Sequence, residues 1–290
     1  MTKKNPLVCI IVLTWNGKNL VKECLDSLYK LTDYPNYKVI IVENGSTKDC
    51  VEYSNKRYKK ADVLWIEKGR GFPGGMNFGM KYSLKKSNPE YVLLLNNDTE
   101  IIQKDWLTKL VDEAEKNPKT GVIGAKFMNP NNIEQVSSVI NFTPLGYIEY
   151  KGNAVKEVQW VSGAAFLIKT DVIKEIGFLN ERYNPGYYEE TEFFFRCREN
   201  GYKIITVPYV KIFHVGAATW DKRASEEKMF VIYRNQIMFF LTHLPARYLL
   251  GRTIKSLVVI FLTNRPKLIP VLIKGYLAGL KQIRLKPTIW

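Results

Sequence analysis

The chain predicts an α/β fold built on a parallel sheet covered by helices. Short apolar runs bounded by polar turns recur through its first hundred residues, and strands buried on both faces read that way. Segments with apolar residues at helical spacing lie between them, and this βαβα rhythm makes a sheet parallel. Three of the runs end in small polar loops. Such loops gather along one sheet edge, where open α/β sheets bind ligands.

Leu7 to Thr14 reads as the first strand, closed by the turn Trp15-Asn16-Gly17. A helix follows to about Leu31, with Leu20, Val21, Cys24, Leu25 and Leu28 on one face. Tyr37 to Val42 is the second strand, and Glu43 to Thr47 a turn able to cap the next helix. Val63 to Ile66 is the third strand, Gly74 to about Lys86 a helix, Tyr91 to Leu95 the fourth strand and Trp106 to Lys116 a helix. Ahead of the third helix, Gly69-Arg-Gly71-Phe-Pro-Gly74 is formally a G-x-G-x-x-G. It follows the third strand rather than the first and holds Pro73, which speaks against NAD and leaves a glycine loop that admits a nucleotide closely.

With 290 residues and 46% hydrophobic content, the chain can bury a large core and is not a disordered one. Cys9, Cys24, Cys50 and Cys197 lie far apart without a C-x-x-C pair, which suits buried reduced thiols and a cytoplasmic setting. Met1-Thr-Lys-Lys-Asn-Pro leads straight into a strand, so no signal peptide is expected.

The net charge of +15 is unevenly placed. From Met229 onward there is no Asp or Glu, while Lys and Arg number ten, from Arg234 to Lys286. They interrupt apolar runs such as Leu257 to Leu262 and Leu268 to Ile273, all shorter than the roughly 20 residues that span a bilayer. This predicts helices in an anionic membrane interface, on the cytoplasmic face. The bland reading is a core-packing tail or a homo-oligomer interface. Nucleic acid is not an expected partner, because the tail is too apolar and no nucleic-acid motif is visible. The domain expectation is therefore a folded unit over 1–228, in two halves (1–100 and 101–228), followed by a basic, apolar helical tail over 229–290.

Two acidic clusters carry chemistry. Tyr91 to Leu95 stops abruptly in Asn96-Asn97-Asp98-Thr99-Glu100, a carboxylate among amide oxygens suited to Mg²⁺ or Mn²⁺ with a phosphate. An Asn/Asp turn is the bland alternative. Glu189-Glu190-Thr-Glu192 follows Gly186-Tyr-Tyr; on a helix Glu189 and Glu192 share a face and Glu190 points elsewhere. Simple charge compensation at a helix start competes with a buried carboxylate tuned as a general base. His214, at the end of a strand-like segment, is a candidate metal ligand.

Seven ordered motifs then meet a family: Ile11-Val-Leu-Thr-Trp-Asn-Gly17, Val42-Glu-Asn-Gly-Ser-Thr47, Gly71-Phe-Pro-Gly-Gly-Met-Asn77-Phe-Gly79, Leu94-Leu-Asn-Asn-Asp98-Thr99, Trp160-Val-Ser-Gly-Ala-Ala165, Glu189-Glu190-x-Glu192 and Phe213-His214-x-Gly216. Over roughly residues 6 to 243 the chain resembles the inverting, nucleotide-sugar-dependent glycosyltransferases of family 2, in particular their rhamnosyltransferase-like branch. The resemblance implies a GT-A fold, a Rossmann-like mixed sheet flanked by helices. It also implies a UDP- or dTDP-sugar donor, a sugar or lipid-linked acceptor, and Mn²⁺ or Mg²⁺.

Residue by residue, it makes Thr14, Asn16, Glu43 and Asn77 nucleotide contacts, and Gly163 and Ala164 the donor-sugar segment. Asp98 becomes the last acid of the D-x-D motif, with Asn96 and Asn97 beside it, and His214 completes the metal site. Glu190 becomes the general base. Glu43 and Glu190 replace the family's usual Asp, and Asn96 replaces the first D-x-D acid, so Glu189 stays open as an alternative base and metal affinity is expected to be modest. A sugar-nucleotide- or lipid-binding protein of the same fold without turnover is the other class, and the retained carboxylates argue against it.

Overall fold

A computed structural model describes residues 5–216 and 225–284. Residues 1–4, 217–224 and 285–290, with Lys286 of the expected tail, lie outside the described residues. The parallel half is β1 (Val8–Thr14), α1 (Lys18–Leu31), β2 (Tyr37–Asn44), α2 (Lys48–Arg57), β3 (Asp62–Ile66), α3 (Gly71–Ser87) and β4 (Tyr91–Asn96), with strand order β3-β2-β1-β4. Buried residues of β1 alternate between the two sheet faces. Val8, Ile10 and Val12 pack on the side of α1 and Trp106, while Cys9 and Ile11 pack with Met76 and Met80 of α3. That double burial is why the strand reads as an unbroken apolar run. All four cysteines are free and buried.

The second half is β5 (Thr99–Ile101), α4 (Trp106–Glu115), β6 (Thr120–Met128), β7 (Ser138–Thr143), β8 (Gly146–Glu149), β9 (Lys156–Val158), β10 (Trp160–Val161), β11 (Ala165–Lys169), α5 (Thr170–Ile176), α6 (Glu189–Glu199) and β12 (Lys203–His214). It extends the sheet as β4-β11-β6-β12-β5. β11 runs antiparallel to both β4 and β6, so the sheet is mixed. β7, β8 and β10 form a separate small sheet. Only Asn97 and Asp98 separate β4 from β5, yet β5 pairs with the C-terminal end of β12. A register irregularity between Val207 and Lys211 lets β12 reach that edge.

α3 starts at Gly71, three residues before the expected Gly74. Pro73 is tolerated there because the N–H groups of a first turn have no helical partner. Its glycines serve packing: a Cβ on Gly75 would lie 2.5 Å from Leu13 Cδ1, and one on Gly79 2.6 Å from Ile11 Cγ2. The expected glycine loop is thus largely the first turn of a helix pressed onto β1.

Three helices close the described chain: α7 (Ser225–His243), α8 (Ala246–Leu262) and α9 (Leu268–Arg284). α7 belongs to the core rather than to a surface-lying tail. Tyr233, Ile237, Met238, Phe239 and Phe240 are buried, and the last three pack with Tyr183. α9 lies along α7, where Gly275 and Gly279 let it approach the Tyr233 and Ile237 side chains. α8 rests on the β7–β8 turn, with Gly251 against Pro144.

Candidate active site

Strand register brings the polar loops together. Leu13 of β1 stands opposite Asn96 of β4, and Thr14 opposite Glu43 of β2, so the parallel strands end level with one another. The cleft there has a volume of about 540 Å³ and is lined by Thr14, Asn96, Asn97, Asp98, Gly163, Ala164, Glu189, Glu190 and His214 among others. The lining as a whole comes from seven different segments of the chain. Asn97 Nδ2 donates to Thr14 Oγ1 at 3.0 Å, and the Asn96 N–H donates to the Ala164 carbonyl at 2.8 Å. Gly163 lies close against the Glu190 side chain: a Cβ there would sit 3.2 Å from Glu190 Cγ, so Glu190 would have to give way by a few tenths of an ångström.

Pairing of β12 with β5 sets His214 opposite Thr99, and His214 Nε2 lies 3.4 Å from Asp98 Oδ1. Gln135 fixes the ring. Its Nε2 donates to the His214 carbonyl at 2.8 Å, which turns its Oε1 toward His214 Nδ1, also at 2.8 Å. Nδ1 is therefore the protonated nitrogen, and a neutral ring presents the Nε2 lone pair to the Asp98 carboxylate. Two acceptors facing each other at that distance need either a proton or a cation between them. Asp98 and His214 are thus the two side chains in this cleft that could hold a divalent cation. Among the described residues no group of three or more His, Cys, Asp or Glu forms a self-sufficient metal site.

At the start of α6 three glutamates take three roles. Glu192 forms a two-pronged ion pair with Arg196, both contacts at 2.9 Å, so it is structural. Burial, and next the neighbouring Glu190 charge, push the Glu189 carboxyl well above the usual range, and its Oε2 has no partner. Burial also raises Glu190, but Trp160 Nε1 at 3.4 Å and Thr191 Oγ1 at 3.3 Å donate to its Oε1. Donors stabilise a carboxylate, so the pair keeps its proton on Glu189 and its charge on Glu190.

Three expected nucleotide contacts do not line this cleft. Asn77 is buried, with Nδ2 donating to the Leu179 carbonyl and Glu181 Oε1, while Oδ1 accepts from Leu179 N–H. Its hydrogen-bonding capacity is spent on tying α3 to the segment before α6. Asn16 accepts from the Thr47 N–H at 2.9 Å and borders a separate surface hollow. Glu43 is buried and accepts from Ser54 Oγ at 2.6 Å, with Oε2 unpartnered.

Other cleft residues escaped the sequence reading: Trp15, Asn44, Phe72, Pro185 and Gly186. Trp15 stands in the turn that closes the first strand, and that position was the available signal. Gln135 and Asn235 gave none, since both act on residues far away in the chain. Buried Asn235 donates through Nδ2 to the carbonyls of Tyr183, Gly186 and Tyr187.

The family model for glycosyl transferase family 2 matches residues 9–177, more than half of the chain. The chain is 24% identical over 238 residues to a low-salt glycan biosynthesis hexosyltransferase of Haloferax volcanii, covering 79% of the chain and 74% of that protein. It is 20% identical over 239 residues to the N-acetylglucosaminyl-diphospho-decaprenol L-rhamnosyltransferase of Mycobacterium tuberculosis, covering 71% and 75%. Two longer relatives, an uncharacterized protein of Sinorhizobium fredii and the O-antigen biosynthesis protein RfbC of Myxococcus xanthus, extend well beyond it: the chain spans 26% and 18% of their lengths. Among solved structures, the mannosyltransferase PcManGT of Pyrobaculum calidifontis in complex with GDP-Man and Mn²⁺ matches with a TM-score of 0.58 at 17% identity, over 96% of this chain and 76% of that one. The mixed sheet, the cleft at its strand ends and these likenesses agree: the chain has the GT-A fold and belongs to glycosyl transferase family 2.

Proposed function

We propose that this enzyme moves a sugar from a UDP- or dTDP-linked donor to an acceptor hydroxyl with inversion, in the assembly of lipid-linked glycan or cell-surface polysaccharide. One observation carries the reading: Asp98 and His214, a pair suited to a cation, share a single cleft with the carboxylate pair Glu189 and Glu190. Glu190 takes the proton of the acceptor hydroxyl as its oxygen bonds to the anomeric carbon. The bond from that carbon to the diphosphate oxygen breaks, and its electron pair leaves with the nucleoside diphosphate. Mn²⁺ or Mg²⁺ held by Asp98 and His214 would supply neutralisation of the charge on that leaving group.

Trp15, Thr14 and Asn97 are the side chains placed to meet the nucleotide. The names of the relatives, one acting on a diphospho-decaprenol, support a lipid-linked acceptor and hence work at the cytoplasmic face of a membrane.

The test is release of nucleoside diphosphate from a panel of UDP-, dTDP- and GDP-sugars with Mn²⁺. Wild-type protein should hydrolyse one donor slowly, and chelator or Asp98→Ala should abolish this with the fold intact. A folded protein that turns over none of the donors, or an Asp98→Ala variant fully active in chelator, overturns the reading.

A further inference from the structure

We propose that a second cavity, of about 270 Å³, is the acceptor site, and that Arg252 there holds a phosphate attached to the acceptor sugar. The inference rests on the transferase reading above. The cavity lies between the β7–β8 hairpin, the start of α6, and helices α7 and α8; Tyr147, Trp160, Tyr188, Thr191, Phe240 and Arg252 are among its walls.

Its relation to Glu190 is the first argument. Trp160 and Thr191 wall this cavity and are also the two side chains that donate to Glu190 Oε1. Glu190 itself lines the donor cleft. The proposed base therefore stands at the partition between two spaces. A general base has to touch the hydroxyl it deprotonates, and that hydroxyl arrives from the side the donor does not fill.

The chemistry of the walls is the second. Aromatic rings around a small cavity with few polar groups suit the apolar face of a sugar ring. The one cation among the walls is the Arg252 guanidinium, which shares the cavity with the Tyr188 ring and has no carboxylate partner among the described residues. A half-buried guanidinium without an anion calls for one, and its planar fork matches phosphate. Arg252 also sits on the helix whose outer side carries exposed apolar residues, Leu250, Ile254, Leu257 and Phe261 among them. A sugar diphosphate on a lipid would present its phosphates there, while its chain follows α8.

The probes are N-acetylglucosaminyl diphosphate esterified with a short prenyl chain, the same diphosphate as its methyl ester, and the phosphate-free methyl glycoside. Binding of each to full-length protein saturated with the hydrolysed donor's nucleoside diphosphate is measured by calorimetry. Arg252→Met should weaken both diphosphate probes about tenfold or more and leave the methyl glycoside unchanged, and Arg252→Lys should restore part of the loss. Tyr147→Ala, on the exposed hairpin, should weaken all three. The prenyl probe binding more tightly than the methyl ester marks a lipid source, and equal binding a soluble sugar diphosphate; either agrees with the site. Nucleotide affinity and donor hydrolysis should stay at wild-type values in every variant, since neither residue lines the donor cleft. An Arg252→Met variant that binds the diphosphate probes normally, or a wild-type protein that hydrolyses donor yet binds none of the probes, overturns the acceptor site while leaving the transferase reading standing. Absence of donor hydrolysis altogether would instead remove both.

Discussion

Neighbouring carboxyls Glu189 and Glu190 differ by what surrounds them, and that difference predicts two different phenotypes. Glu190→Gln keeps the shape and the Trp160 contact but cannot take a proton, so transfer should fall about 10²-fold or more with donor affinity retained. Because burial raises its pKa above the ordinary 4.5, the acid limb of the wild-type rate profile should lie above that value, with activity rising as Glu190 ionises. Glu189→Gln should show itself in stability. A carboxyl raised in the folded state contributes fully below its unfolded value, and the contribution is lost as pH rises through the folded value. A glutamine cannot ionise, so the variant should melt above wild type at neutral and alkaline pH, and the gap should close in acid. A variant that melts below wild type at every pH would refute the neutral Glu189. Gln135 predicts a third effect: with its anchor on Nδ1 gone, Gln135→Leu should weaken Mn²⁺ binding about 10- to 100-fold, read by calorimetry without substrate. Unchanged affinity would mean His214 is held without it.

Among elements, the turn into α6 and helix α7 depend on each other. Tyr187 and Tyr188 both adopt left-handed backbone, φ 69° and 74°, a conformation that costs side-chain-bearing residues energy unless the surroundings impose it. Asn235 imposes it by holding three carbonyls of that turn. Asn235→Leu orphans these carbonyls and should cost about 1–3 kcal/mol, measured by denaturant unfolding. Activity should fall further than the unfolded fraction explains, because Tyr187 lines the cleft and Glu189 and Glu190 follow directly. If activity simply tracks the folded fraction, the turn does not need α7 for its shape. Any truncation ahead of α7 would expose the same buried face and confuse these effects.

At the scale of the whole molecule, the surface of α8 and α9 is unlike the rest. Leu250, Ile254, Leu257, Val258, Phe261 and Leu262 are exposed at spacings that share one face of α8, and Ile269, Ile273, Leu277 and Leu280 do so on α9. Lys255, Lys267 and Lys274 accompany them, and from Met229 onward the chain has no acidic residue. Among the described residues no helix is long and apolar enough to cross a membrane. Docking onto an anionic bilayer fits both facts, each engaged Lys or Arg contributing on the order of 1 kcal/mol. Full-length protein should co-sediment with phosphatidylglycerol vesicles at low salt and be partly released by high salt. Phe261 and Leu262 are 84% and 74% exposed, so replacing both with serine removes little packing and should still cut the vesicle-bound fraction severalfold. Protein that ignores the vesicles at low salt would leave these faces to another partner.

How much of this could be read in advance divides along a physical line. The parallel half was legible because strands buried on both sides must be apolar throughout, and the loops that close them must be polar. For the same reason Thr14, Asn96, Asn97 and Asp98 were identifiable as edge residues from their own neighbours in the chain. The glutamates of α6 were legible as a cluster but not as distinct roles, since the Arg196 pair, the unpartnered Glu189 oxygen and the Trp160 contact arise only on packing. Asn77 resembled a ligand contact and turned out to be a tie between α3 and Leu179, because an amide's partners lie 102 residues away. The apolar run of α7 and those of α8 look alike in composition; only the fold buries one and exposes the others. Sequence determined the elements of the parallel half and which residues have side chains suited to chemistry. Tertiary structure decided which side chains remain available for it, because availability depends on contacts between segments whose distance along the chain says nothing of their distance in space.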